Sequence, residues 1–208
     1  MSARDALVTT TIVHLAQLGP VGVQPQEICA ELGISKALVN YHFGGREGLI
    51  AEAVTTAFER HSAHLVELAG RVDDGIPATA ALEALIEYQV RWGSEQPGLV
   101  AATAHPDVAV GRGNLSDAQH ERMAGARARN FAAMQKVVIA ARAELTDGRP
   151  FGTEAEARQM AAVIGWITLG MLTWNGGMFL PMRNDEVQGQ FDQTRQFLHS
   201  LIREALVR

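Results

Sequence analysis

Several large classes of protein are excluded by what this sequence lacks. It holds one cysteine, Cys29, so no disulfide can close within the chain and a reducing compartment is expected. The longest apolar run, Ala161 to Trp174, contains Thr168 and two tryptophans and falls short of the roughly 18 residues of a membrane span. The opening stretch "MSARDALVTT" has no basic-then-apolar pattern. A soluble, cytoplasmic protein with no membrane partner is therefore expected. Positive charge is scarce, with a formal net charge of −5. The first fifty residues set Arg4, Lys36 and Arg46 against Asp5, Glu27, Glu31 and Glu47, so they form no basic stripe. Any contact to phosphates must rest on a few placed donors and helix N-termini rather than on bulk charge.

Catalytic constellations are missing too. Seven histidines are scattered along the chain. His61 and His64 carry no His-Glu-x-x-His pattern, and His120-Glu121 fails it as well. The "GRG" at 111–113 lacks the strand–turn–helix context of a nucleotide fingerprint. Gly44-Gly45 ends a helix and is no phosphate loop. Cys29 has no poised partner and reads as a small buried hydrophobe. No catalytic residue, metal ligand or cofactor is assigned, and an enzyme is not expected.

What is present is helix. The chain has 208 residues and 22.4 kDa, enough for one large domain or a small one plus a medium one. Apolar residues make up 47% against 20% charged, so a sizeable core is available. Aromatics are 6%, Ala and Leu dominate, and no strand-like alternation persists. An all-α fold follows. Apolar spacing predicts helices at about Ala3–Leu18, Pro25–Leu32, Lys36–Phe43, Arg46–Gly70, Ala78–Glu95, Pro97–Ala104, Ser116–Leu145, Thr153–Asn175 and Asp185–Val207. The stretch "HPDVAVGRGN" reads as a long polar loop. Residues 1–45 are expected to form a three-helix domain and residues 46–208 a larger helical domain, with helix 46–70 as connector.

Residues 19–49 carry the sharpest signal. Pro25 suits a first helical position and Glu27 its dipole, while Gly33 suits a left-handed stop. Ser35 caps the next helix and Ile34 can staple onto Val39. Ile28, Cys29, Leu32, Ile34, Val39 and Phe43 make the inner face of a helix-turn-helix, a motif whose second helix enters a major groove. The outward residues then have chemistry to match. Asn40 can pair in bidentate fashion with adenine. Ala37 and Leu38 can press on thymine methyls. Tyr41 and His42 can bond phosphates or base edges, and Lys36 can neutralise a phosphate. Arg46 opens a helix whose N–H groups also point at an anion.

The run "SKALVNYHFGGREGL" resembles the S-K-G-T-L-Y-x-H-F-x-S-K-E-x-L pattern of TetR-family transcriptional regulators. Ser35, Lys36, His42, Phe43, Glu47 and Leu49 match, and Arg46 replaces a usual Lys. The resemblance implies DNA contacts from the recognition helix, from Gln24 and from the start of the fourth helix. It also implies a homodimer, a double-stranded operator, a small-molecule effector and repression as the common mode. Leu38 stands where the family often has Thr, Asn40 where it usually has Tyr, and Val23-Gln24 where Thr-Thr is common. Hydroxyl contacts therefore do not carry over at Leu38 and Val23, and the operator cannot be copied from relatives. The competing reading is an all-helical small-molecule-binding or interaction protein whose helix-turn-helix does not bind DNA.

The resemblance assigns the C-terminal half to ligand binding and dimerisation. Helix 153–175 is apolar on nearly every side from Met160 to Trp174, so one face can meet its own domain and the other a partner. The last helix carries Val187, Phe191, Thr194, Leu198, Leu201 and Ala205 in one stripe. Two such helices from each of two chains would make a four-helix interface, with Ile164, Thr168, Met171, Phe191, Leu198 and Leu201 as contacts. Met123, Arg127, Phe131 and Met134, with Trp92, His105, Trp166 and Trp174, are candidates to line an effector cavity.

Overall fold

The first helix starts for a local reason. Asp5 N–H donates to Ser2 Oγ at 3.1 Å while Ser2 N–H donates to Asp5 Oδ2 at 3.3 Å, a reciprocal capping box. Helix α1, Ala3–Gly22, loses helical geometry at Gly19, whose φ of 66° and ψ of 176° break it just before Pro20. The computed structural model describes residues 2–175 and 184–207; of these, the side chains of 169, 171–175, 184–192 and 194–195 are outside the description. Among the described residues there are ten helices and no strand. The others are α2 Pro25–Leu32, α3 Ala37–Phe43, α4 Arg46–Gly70, α5 Ala78–Glu95, α6 Pro97–Ala104, α7 Pro106–Ala109, α8 Asp117–Leu145, α9 Glu154–Asn175 and α10 Asn184–Val207. Ser116 caps α8, its hydroxyl accepting from Gln119 N–H at 3.3 Å, and Thr153 caps α9 in the same way through Glu156 N–H at 3.2 Å.

The chain divides into two compact units, Met1–Ser62 with Glu95–Arg127, and Ala63–Ser94 with Ala128–Arg208. This differs from the division expected at residue 45. The first unit takes in the greater part of α4, all of α6 and the start of α8, because α6 packs along α1 and the first turns of α8 are ion-paired to α4. Gly98 of α6 sits so close to α1 that an added Cβ would overlap the Leu15 carbonyl oxygen. The core of this unit contains Leu7, Leu15, Val23, Ile28, Val39, Leu49, Ile50 and Val54. The segment 105–114 is less of a polar loop than its sequence implies. It contains the single turn α7, and Val110 and, just beyond the segment, Leu115 are buried.

The second unit has its own core. Leu65 and Leu68 of α4, Leu82, Leu85, Ile86 and Val90 of α5, Met134, Val137 and Val138 of α8, Ile164 of α9 and Leu198, Ile202 and Leu206 of α10 form one apolar cluster. The spacing in α10 is i, i+4, i+8, one face of a helix. That face differs from the expected stripe. Leu198 belongs to it, but Leu201 lies on the exposed flank. Glu144 of α8 closes the N-terminus of α5, accepting from Ala78 N–H, from Thr79 N–H at 3.0 Å and from the Thr79 hydroxyl at 3.0 Å. No helix of the described residues is long and apolar enough to cross a membrane.

Candidate nucleic-acid interface

Two glycine stops shape the helix-turn-helix. Gly33 has φ +64°, and its N–H donates to Ala30 O while Ile34 N–H reaches Cys29 O at 3.0 Å, the paired bonds of a Schellman stop. Gly44, at φ +72°, ends α3 through a bond to Asn40 O at 3.0 Å. Between them the chain turns tightly. Ser35 Oγ accepts from Ala37 N–H at 3.2 Å, and Leu38 and Val39 N–H donate three residues back, so α3 opens in a 3₁₀-like turn one residue after the expected start.

Helix α3 is only seven residues long, too short to hold itself. It is fastened by buried Val39, with Leu38 and Phe43 half-buried. Ser35, Lys36, Ala37, Asn40 and Tyr41 are left exposed. Tyr41 keeps 82% of its surface, its ring edge-on to His42 with centroids 4.9 Å apart. His42 is half-buried between Tyr41 and Phe43, whose centroid lies 6.0 Å from its own. Gln24 stands exposed at the N-cap of α2 with no side-chain cap bond.

Arg46 is placed differently from the others. Its guanidinium donates to Val23 O at 3.0 Å, Pro20 O at 2.6 Å and Val21 O at 3.4 Å, and lies 3.6 Å from the Glu47 carboxylate. The arginine thus pins the turn that presents Gln24.

A second polar cluster was not legible in the sequence. Glu52 of α4, 8% exposed, accepts from Arg4 of α1 at 3.0 Å, from Gln119 of α8 at 3.1 Å and from Arg122 of α8 at 3.0 and 3.1 Å. Arg122 also grips Glu59 bidentately at 3.0 and 2.6 Å. Burial works against the Glu52 carboxylate, but these hydrogen bonds and the Arg122 charge outweigh it and hold its pKa below the ordinary value. The only sequence signal is a carboxylate set among the buried positions Leu49, Ile50, Ala53 and Val54. Its cations lie 48 and 70 residues away, beyond any local pattern.

The residues expected to line a cavity are distributed over both units. Met123 is buried in the first unit, whereas Met134 and half-buried Phe131 belong to the core of the second. Trp92 is buried, and Arg127 is exposed with its guanidinium 5.8 Å from the Phe58 centroid. His105 and Trp166 face outward. His105 is exposed at the α6–α7 junction, and Trp166 is 72% exposed because Ala161, Ile164 and Thr168 take the inward face of α9. Three expected dimer contacts turn inward instead. Ile164, Thr168 and Leu198 are buried in their own chain, where Thr168 donates to Ile164 O at 2.8 Å. Leu201 is exposed. The side chains of Met171, Trp174 and Phe191 lie outside the described residues.

No family model matches the sequence, and no curated protein matches it. Solved structures do match. The TetR-family regulator PfmR from Thermus thermophilus superposes with a TM-score of 0.62 at 18% identity, over 97% of this chain and 99% of that one. The fatty acid degradation regulator FadR from Bacillus halodurans gives 0.66 at 12% identity, over 100% and 98%. FadR from Bacillus subtilis in complex with stearoyl-CoA gives 0.58 at 12% identity, over 94% and 97%. Along almost its whole length, then, the chain has the all-helical fold of the TetR-family transcriptional regulators.

Proposed function

We propose that this protein is a TetR-like DNA-binding transcriptional regulator, a homodimeric repressor that a small molecule releases from its operator. The observation that carries the reading is α3 itself. A seven-residue helix is tethered through Val39 while Ser35, Lys36, Ala37, Asn40 and Tyr41 face outward, with Gln24 exposed at the adjoining cap. Side chains of these types, held outward on an anchored short helix, can hydrogen-bond base edges and phosphates.

Dimerisation is supported by apolar surface on two packed helices. On α9, Val163 and Trp166 are exposed, and on α10, Phe197 and Leu201, with Trp166 at 72% and Phe197 at 67%. Large apolar side chains at this exposure fit an interface between copies. Two recognition helices held about 34–36 Å apart would read adjacent faces of one duplex, which a single short helix cannot do. An effector is supported within the second unit by Gln89, whose buried side-chain oxygen has no hydrogen-bond partner. A small molecule with a donor group would satisfy it. The Bacillus subtilis neighbour, solved in complex with stearoyl-CoA, supports a small-molecule effector here.

The interaction-protein reading draws on one feature, the withdrawal of Arg46 into carbonyl contacts, which leaves the head with little positive charge. One experiment separates the two. Duplexes are selected from a random library on the full-length protein, and the enriched duplex is titrated by fluorescence anisotropy at two salt concentrations against its scramble. Enrichment of a palindromic site bound by one dimer, with affinity falling steeply in salt, is expected. Failure to enrich any sequence would favour the interaction protein.

A further inference from the structure

We propose that Gln119 and Arg122, at the start of α8, position the recognition helix α3 by holding Glu52 of α4, which in turn holds Arg4 of α1 against Phe43. The inference rests on α3 being the element that reads DNA. All the contacts belong to the first unit. Arg4 is gripped by Glu52 at 3.0 Å, and its guanidinium lies 5.5 Å from the centroid of Phe43, the last residue of α3. Glu52 is buried, and it is an acceptor that α1 and α8 share. Arg122 is fixed from its other side by Glu59, further along α4, so it cannot swing away while both carboxylates hold it.

The physical logic is that of a crowded acceptor. A buried carboxylate needs its donors, because removing one leaves charge uncompensated in a low-dielectric site. If the α8 donors withdraw, Glu52 pulls Arg4 inward to compensate and Arg4 leaves the Phe43 ring. Helix α3 has one buried anchor, Val39, so losing the contact at its C-terminal end lets it tilt about that anchor. Helix α8 runs unbroken from Asp117 to Leu145, and its later turns supply Met134, Val137 and Val138 to the core of the second unit. Gln119 and Arg122 are therefore positioning residues for the reading head.

The sequence supplies a convenient reporter. It has two tyrosines, Tyr41 on α3 and Tyr88 on α5. Full-length protein labelled with 3-fluorotyrosine gives one ¹⁹F resonance from the reading head and one internal control. Arg122→Met and Arg4→Met are each expected to shift or broaden the Tyr41 resonance and leave that of Tyr88 in place. Each should also weaken binding to the selected duplex about tenfold. The double variant should be no worse than either single one, because both act through one route. Arg4 is half-exposed near the terminus, so Arg4→Met tests the route even if Arg122→Met fails to fold. An unmoved Tyr41 resonance in Arg4→Met, or fully additive losses in the double variant, would overturn the proposal. Wild-type protein that prefers no duplex would defeat the regulator reading instead, while the Tyr41 resonance would still report on the linkage.

Discussion

Lys36 and Arg46 stand ten positions apart in the reading head, yet their surroundings give them different work. Lys36 is exposed, so Lys36→Ala should weaken binding evenly across sequences and lower the salt slope by about 1, without moving the thermal midpoint. Arg46 holds the carbonyls of residues 20, 21 and 23, so Arg46→Met should cost about 1–3 kcal/mol of stability in urea titrations, because charge-assisted bonds to a turn are lost. Asn40→Ala should remove about 1–3 kcal/mol of sequence-specific affinity and leave the fold intact, since the side chain is exposed. A variant that binds the selected duplex as wild type does would end that assignment. Glu52 adds a pH dependence. Its folded pKa lies below the ordinary 4.5, so its contribution to stability is present above that value and is lost as pH falls through the folded pKa. Glu52→Gln should flatten the stability profile in that acid window relative to wild type.

Among the elements, α6 and α5 carry the clearest tests. Helix α6 lies on α1 with no room for a side chain at Gly98. Gly98→Ala must therefore push two backbones apart, at about 1–3 kcal/mol, and a thermal melt that matches wild type would show that the two helices sit less closely. Helix α5 has its first N–H groups satisfied from a distance by Glu144 rather than by a cap of its own. Burial works against that carboxylate, yet the bonds from Thr79 and Ala78 hold it below the ordinary pKa. Glu144→Ala should cost about 0.5–2 kcal/mol and raise amide exchange at the first turn of α5.

At the scale of the whole molecule, the exposed apolar sides of α9 and α10 give the quaternary prediction. Trp166→Asp combined with Phe197→Asp should turn a dimer into a monomer by sedimentation velocity while helicity is kept, because both side chains are largely outside their own core. A monomeric wild-type protein would contradict the expected interface. An effector can release DNA only by preferring one dimer geometry over another, since equal affinity for both shifts nothing. Its binding should accordingly be weaker in the presence of the operator duplex, by the same factor that it weakens DNA binding.

The sequence by itself determined the helices, the single turn α7 apart, and the motif. Their signals are local: the Ser116 and Thr153 caps, the Gly33 and Gly44 stops and the proline at the head of α2 lie within a few residues of the structure they cause. The outward side of α3 was legible for the same reason, because Val39 leaves little choice of face on so short a helix. Tertiary structure decided everything that depends on a distant partner. Helix α9 is apolar nearly all round, so its composition could not tell that Ile164 and Thr168 turn inward and Trp166 outward. Only packing against the rest of the core breaks that tie. Arg46 could have met a phosphate or a carbonyl, and the turn at residues 20–23 took it. Glu52 acquired its role from cations 48 and 70 residues away, a distance over which sequence spacing holds no geometric information.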